Sequence, residues 1–121
     1  MRVLVVDDDP VVLASCRRVL ENEGHEYRVF SGALEALEAL KVECFDLLLV
    51  DIKMPEQDGI YLMEQAKGVC PDVPILVMSG YPTSETIERS QAIGAKHFIS
   101  KPFTPDELVE AMAKVVQGGE P

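Results

Sequence analysis

Short apolar runs that alternate with amphipathic segments constrain this chain more than any other feature. The runs Val3–Val6, Phe45–Val50 and Val73–Met78 are apolar at nearly every position, which indicates strands buried on both faces. Two further strands are predicted at Glu26–Phe30 and His97–Ser100. Apolar residues at helical spacing follow each strand. Five such alternations predict a parallel sheet with helices on both faces.

Polar residues stand where the predicted strands end. The pattern is that of an α/β, doubly wound, flavodoxin-like (βα)5 domain with five parallel strands in the order 2-1-3-4-5, in which ligands bind at the carboxyl ends of the first and third strands. Asp7 and Asp8 follow the first strand, Asp51 ends the third, and Ser79 and Lys101 follow the fourth and fifth. Neighbouring strands lie about 5 Å apart, so we expect these groups to share one pocket.

Composition limits the classes of function that fit. The 121 residues and 47% hydrophobic content are those of one ordinary globular domain. The formal net charge of −10 argues against direct nucleic acid binding, which needs clustered Lys and Arg. The chain shows no signal peptide and no apolar stretch of membrane length, so we expect a cytoplasmic domain without a membrane partner.

The cysteines Cys16, Cys44 and Cys70 show no CxxC spacing. An odd count without that spacing argues against a disulfide framework or a zinc site. We predict that each packs, reduced, as a small apolar residue.

Capping residues place the helix ends. Ser31 is predicted to cap the second helix, and Thr104–Glu107 is a predicted capping box for the last one. The domain is expected to span residues 1–117, and residues 118–121 are expected to be a tail or the start of a linker.

Several carboxylates in one pocket repel one another, which raises some of their pKa values unless a cation joins them. Mg²⁺ prefers oxygen ligands and is often held by one or two carboxylates plus a phosphate. We predict that Asp8 and Asp51 bind Mg²⁺ directly, Asp7 through water, and Lys53 through its backbone carbonyl. A metal-bound Asp51 carboxylate is a usable nucleophile toward phosphorus. Lys101 would neutralise the charge that develops on the transferring phosphoryl group.

Ser79 and its neighbours complete the expected phosphoryl pocket. The Ser79 hydroxyl can donate one hydrogen bond to a phosphoryl oxygen. Lys53 and Tyr81 lie two residues after Asp51 and Ser79. We therefore expect them, with Gly80, to flank the open side of the phosphoryl group, and we expect the bulk of Lys53 and Tyr81 to hinder the water that hydrolyses it.

Together these motifs resemble the receiver domains of response regulators in bacterial two-component signalling, with their chemotaxis-regulator-like phosphoacceptor fold. The resemblance covers nearly the whole chain. It implies that Asp51 accepts a phosphoryl group from a histidine kinase or phosphotransfer protein, that Asp7 and Asp8 serve Mg²⁺, and that Ser79 and Lys101 contact the phosphoryl group. The motifs that carry it are Asp7-Asp8, Asp51 with Met54-Pro55 and Gly59, Ser79-Gly80 and Lys101-Pro102-Phe103.

The resemblance also implies a route for the signal. Phe98, three residues before Lys101, takes the place of the family's switch aromatic, and the bond between Lys101 and Pro102 is usually cis. The signal is expected to pass through Ser79 and Phe98 to a downstream output domain or protein at the helix 4–strand 5–helix 5 face. The sequence leaves open whether the domain forms a homodimer, and no turnover of a separate substrate is expected.

Other interpretations remain open at this point. Asp7 and Asp8 are also suited to cap a helix, and Phe98 to fill a static core. The alternative enzyme hypothesis is an aspartate-nucleophile phosphatase of the haloacid dehalogenase type. That family needs a second acid two residues after Asp51, where this chain has Lys53.

Overall fold

Strands and helices alternate throughout the computed structural model, which describes residues 1–52, 59–80 and 83–117. The strands are β1 (Arg2–Val6), β2 (Glu26–Phe30), β3 (Leu47–Asp51), β4 (Ile75–Ser79) and β5 (His97–Ser100). The helices are α1 (Pro10–Asn22), α2 (Ala33–Val42), α3 (Gly59–Val69), α4 (Ser84–Ile93) and α5 (Pro105–Gln117). The predicted alternation is confirmed.

The sheet is parallel, with its strands in the order β2-β1-β3-β4-β5. The flavodoxin-like (βα)5 fold predicted from the sequence is therefore confirmed. Val6 pairs with Val50 and Asp51 pairs with Met78, so β1, β3 and β4 end at nearly the same level. The strand order reverses at β1 and β3, which opens a crevice at their carboxyl ends.

Two apolar layers cover the sheet, because successive side chains of a strand point to opposite faces. Leu48 and Val50 pack with α2 and α3, whereas Leu47 and Leu49 pack with α1 and α5. Every residue of β3 is buried. This double burial is why β3 reads as a continuous apolar run rather than an alternating one.

The helix caps agree only in part with the prediction. The Thr104 N–H donates to Glu107 Oε1 at 2.8 Å and the Glu107 N–H donates to Thr104 Oγ1 at 3.1 Å, which confirms the capping box. The prediction for Ser31 is wrong. Gly32 is the N-cap of α2, and no side chain forms a capping hydrogen bond there.

The cysteine prediction is correct for two of the three residues. Cys16 and Cys70 are buried, but Cys44 is exposed. Cys44 lies in the connection between α2 and β3, outside the apolar layers that bury the other two. The prediction that each cysteine packs as a small apolar residue is therefore wrong for Cys44.

Helix α5 is the last element of the described chain. Helix α5 ends at Gln117, and the predicted tail, residues 118–121, lies outside the described residues. Among the described helices, none combines the length and the apolar content needed to cross a lipid bilayer.

Candidate functional site

Three carboxylates meet at the crevice where β1 and β3 end. Asp7 and Asp8 follow β1, and Asp51 is the last residue of β3. One carboxylate oxygen from each lies within 4.8 Å of the other two. Asp7 is fully buried, Asp51 is 4% exposed and Asp8 is exposed. The cluster therefore consists of two buried carboxylates and a third that solvent reaches.

The three consecutive aspartates after β1 have different local roles. Asp9 is the N-cap of α1, and its Oδ1 accepts a hydrogen bond of 2.9 Å from the Val11 N–H. Asp7 Oδ1 accepts a hydrogen bond of 2.9 Å from the Asp9 N–H. The helix-capping role considered for Asp7 and Asp8 thus belongs to Asp9. The sequence signal was its position directly before Pro10, which begins the helix.

Lys101 brings a positive charge to these carboxylates. Its Nζ lies 2.6 Å from Asp7 Oδ2 and 3.2 Å from Asp51 Oδ2, and its side chain is 18% exposed. The Lys101 N–H donates to the Ser79 carbonyl oxygen at 2.9 Å. The bond from Lys101 to Pro102 is cis, as the resemblance implies. The ends of β4 and β5 therefore position the lysine.

Burial and charge oppose one another in this cluster. Burial raises the pKa of Asp7 above its ordinary value, although hydrogen bonds from Lys101 and Asp9 act in the other direction. For Lys101, burial alone would lower the pKa, but the contacts with Asp7 and Asp51 outweigh it and raise the pKa above its ordinary value. A further cation beside Asp7 would favour its ionised form.

Ser79 lies on the neighbouring strand, and its side chain is buried. It ends β4 and is 4% exposed. Within residues 1–52, 59–80 and 83–117, its buried Oγ has no hydrogen-bond partner. An unsatisfied buried group costs about 1–3 kcal/mol. The hydroxyl proton is therefore available to an acceptor that enters the crevice.

Gly59 allows α3 to begin against the end of β3. A Cβ at this position would lie 2.2 Å from the Asp51 carbonyl oxygen and 2.7 Å from the Ile52 Cα. The Gly59 N–H donates to the Ile52 carbonyl oxygen at 3.3 Å. Only glycine fits so close to the backbone that carries Asp51.

Phe98 lies in β5, opposite Val77 of β4. It is half-buried and packs against the apolar layer that also includes α3. The neighbouring helix α4 is held by few buried side chains. Within Ser84–Ile93, all of which the structure describes, Ser90 alone is buried.

The remaining predicted residues divide into two groups. Lys53 and Tyr81 lie outside the described residues, as do Met54 and Pro55 of the motif. Gly80 is exposed, and a Cβ there would meet no atom within 4 Å.

Comparison with known proteins identifies the family. Residues 3–113 match the family described as the response regulator receiver domain. This chain belongs to that family. It is 34% identical to the response regulator MprA of Mycobacterium tuberculosis (strain ATCC 25177 / H37Ra) over 100% of the chain and 53% of MprA. It is 32% identical to the transcriptional regulatory protein ZraR of Escherichia coli (strain K12) over 94% of the chain and 26% of ZraR.

This receiver domain spans between a quarter and about half the length of those curated relatives. Among solved structures, it matches a CheY-like receiver domain protein from Methanospirillum hungatei JF-1 with a TM-score of 0.91 and 35% identity, over 96% of this chain and 93% of that one. It matches the chemotaxis protein CheY4 of Vibrio cholerae with a TM-score of 0.89 and 26% identity, over 94% and 97% of the two chains. The chain is thus a response regulator receiver domain of two-component signalling.

Proposed function

We propose that this receiver domain is a phosphorylation-controlled switch in which Asp51 accepts a phosphoryl group from a histidine kinase or a phosphotransfer protein. The position of Lys101 beside Asp51 is the main support for this proposal. The Lys101 ammonium lies 2.6 Å from Asp7 Oδ2 and 3.2 Å from Asp51 Oδ2 at the carboxyl end of the sheet. A strand-end carboxylate beside a fixed cation is arranged to attack phosphorus and to stabilise the charge that results.

The carboxylate cluster suits Mg²⁺. Asp7, Asp8 and Asp51 each offer a hard oxygen donor within 4.8 Å of the others, which is the ligand type that this ion prefers. Asp8 and Asp51 would hold the ion directly and Asp7 through water. The proposed fourth ligand, the Lys53 carbonyl, lies outside the described residues. Bound Mg²⁺ would neutralise charge on the phosphoryl oxygens during transfer.

In the transfer step, a carboxylate oxygen of Asp51 forms a bond to phosphorus while the P–N bond of a donor phosphohistidine breaks. The departing imidazole nitrogen keeps the bonding electron pair and takes up a proton. The Lys101 ammonium would pair with the new phosphoryl oxygens. The Ser79 hydroxyl, which has no partner within the described part of the chain, would donate a hydrogen bond to one of them. Hydrolysis then restores Asp51 and releases phosphate, so the domain turns over no separate substrate.

Acetyl phosphate with Mg²⁺ tests the assignment. We expect the intact mass of the wild-type chain to rise by one phosphoryl group, and the Asp51→Asn variant to show no rise. Asp72→Asn, which changes an exposed carboxylate, is the matched control and should be labelled like wild type. Equal labelling of Asp51→Asn would refute the assignment. Steady turnover of a generic phosphomonoester would instead favour the phosphatase hypothesis.

The signal is proposed to leave through the face made by α4, β5 and α5. Few buried side chains hold α4, and such segments adopt alternative positions most easily. A hydrogen bond from Ser79 to the phosphoryl group would shift the connection to α4, and the half-buried Phe98 ring would turn inward. A partner that binds this face in its shifted conformation would then bind the phosphorylated domain more tightly.

Amide hydrogen exchange with and without beryllofluoride tests this relay. We expect beryllofluoride to change amide exchange across α4 and β5, and we expect Phe98→Ala to weaken these changes. Acetyl phosphate should still phosphorylate Asp51 in that variant. Changes confined to the residues around Asp51 would refute the relay.

The partners proposed for this face are a downstream output domain or protein, or a second copy of the chain. The net charge of −10 disfavours direct contact with nucleic acid, and we propose a cytoplasmic location without a membrane partner. Size-exclusion chromatography with and without beryllofluoride would separate a homodimer from a monomer.

A further inference from the structure

Cys44 and Cys70 lie in contact at the edge of the sheet opposite the acidic site. Cys44 precedes β3, and Cys70 follows α3, which runs back to the amino ends of the strands. Their Sγ atoms are 2.6 Å apart. This separation exceeds the roughly 2.05 Å of a disulfide bond. It is well below the roughly 3.5–4.0 Å at which even two non-bonded carbon atoms pack best.

We propose that Cys44 and Cys70 form a redox modification site, in which a peroxide oxidises the pair to a reversible intramolecular disulfide. The proposal concerns residues remote from Asp51 and does not depend on the phosphoryl chemistry. In a reducing compartment, disulfides of this kind are usually transient and serve redox sensing.

The two thiols differ in their access to solvent. Cys44 is exposed, whereas Cys70 is 6% exposed. Burial, together with the contact with Cys44, raises the pKa of the Cys70 thiol to about 11. The peroxide therefore reaches Cys44 first, because oxidation depends on access and on thiolate character. Cys70 is placed to resolve the product.

The chemistry balances with one peroxide. The Cys44 thiolate attacks one peroxide oxygen, the O–O bond breaks, and Cys44 becomes a sulfenic acid while the departing hydroxide takes up the proton that the Cys44 thiol released and forms one water. The Cys70 sulfur then attacks the Cys44 sulfur, the S–O bond breaks, and the departing hydroxide takes the Cys70 proton to form a second water. Two thiols are oxidised to one disulfide, and the peroxide is reduced to two waters.

The backbone around Cys70 fixes the resolving sulfur in place. Its N–H donates to the Ala66 carbonyl oxygen at 2.7 Å, and its carbonyl oxygen accepts from the Val73 N–H at 3.1 Å. Cys16 lies across the sheet, in the other apolar layer, and is fully buried. Burial raises its pKa to about 12. The third cysteine therefore serves as an internal control.

Hydrogen peroxide treatment of the folded chain tests the site. We expect free thiols to fall from three to one, the intact mass to fall by two hydrogens, and dithiothreitol to reverse both. Trypsin should yield one linked species that joins residues 42–53 to residues 68–89. Cys16→Ser should form the same link, whereas Cys44→Ser, which changes an exposed residue, should form none.

Four results would overturn the proposal. They are three free thiols after oxidation, a link that includes Cys16, a covalent dimer that Cys44→Ser abolishes, and a stable sulfinic acid at Cys44 with Cys70 still free. Cys70→Ser provides the second check, because Cys44 should then stop at the sulfenic acid, which dimedone traps. A native circular dichroism spectrum for each variant shows that the fold is retained.

Discussion

Removing the charge of Lys101 should destabilise the domain through its two buried partners. Lys101→Met deletes an ammonium 2.6 Å from Asp7 Oδ2 and 3.2 Å from Asp51 Oδ2 but keeps a long side chain. At an effective dielectric constant of about 20, unit charges at these distances attract by about 6 and about 5 kcal/mol. Desolvation cancels several kcal/mol for each ion, and truncating one partner of a buried pair costs about 3–5 kcal/mol. Since the Lys101 side chain is 18% exposed, we expect a loss of about 3 kcal/mol.

Urea unfolding followed by far-UV circular dichroism in EDTA measures this loss. With a slope of about 2 kcal/mol/M, the midpoint should fall by about 1.5 M. Lys41→Met is the matched control, because Lys41 Nζ pairs with Glu38 Oε2 at 3.2 Å on the surface, with side chains 55% and 74% exposed. An exposed pair of this kind is worth less than about 1 kcal/mol.

Mg²⁺ supplies the sharper test of the same reasoning. With Lys101 removed, the carboxylates of Asp7 and Asp51 lack their cation, so added Mg²⁺ should stabilise Lys101→Met more than it stabilises wild type. If Lys101→Met unfolds at the same urea concentration as Lys41→Met, the ammonium does not compensate the buried carboxylates. If Mg²⁺ stabilises the variant no more than wild type, the carboxylates do not bind the ion as proposed.

Three further predictions use the same unfolding assay. Gly59→Ala should lower the free energy of unfolding by about 2–3 kcal/mol, because its Cβ would lie 2.2 Å from the Asp51 carbonyl oxygen. Gly68→Ala in the same helix is the control, since its Cβ would meet no atom within 4 Å, and it should raise that free energy by up to about 1 kcal/mol. Equal effects of the two substitutions would contradict the steric argument. Ser79→Ala removes a buried hydroxyl that has no hydrogen-bond partner among the described residues, so the free energy of unfolding of the resting domain should rise by up to about 1–3 kcal/mol. The beryllofluoride effect on amide exchange in α4 should disappear in the same variant. A loss of stability would mean that the hydroxyl is hydrogen-bonded. Thr104→Ala removes the acceptor of the Glu107 N–H and should lower the free energy of unfolding by about 1 kcal/mol. An unchanged urea midpoint would show that the capping box does not contribute to stability.

Several features could be predicted from the sequence because they depend on neighbouring residues. The strand and helix alternation follows from apolar periodicity within each segment, and the capping box at Thr104 and Glu107 joins residues three positions apart. The order of the parallel strands was taken from the known five-stranded, doubly wound arrangement, and parallel strands place all their carboxyl ends at one edge. These rules were enough to bring Asp7, Asp8, Asp51 and Lys101 to one edge of the sheet.

The division of roles within that edge was decided by the tertiary structure. The position of Asp9 directly before Pro10 indicates a cap for α1, but nothing in the run of three acids shows that Asp7, rather than Asp8, pairs with Lys101. Which aspartate pairs with the lysine depends on the orientation of α1 relative to β1 and on the position of Lys101 at the end of β5. The sequence also favoured Ser31 as a cap, but α2 begins after Gly32, because the packing of a helix overrides the capping preference of one residue.

The contact between Cys44 and Cys70 is the plainest case of a feature that only tertiary structure decides. The two residues are 26 positions apart, and no local pattern relates them. They meet because β3 carries the chain across the sheet and α3 returns it to the same edge. Local chemistry determines the elements and the groups at their ends, whereas contacts between distant residues depend on how those elements pack.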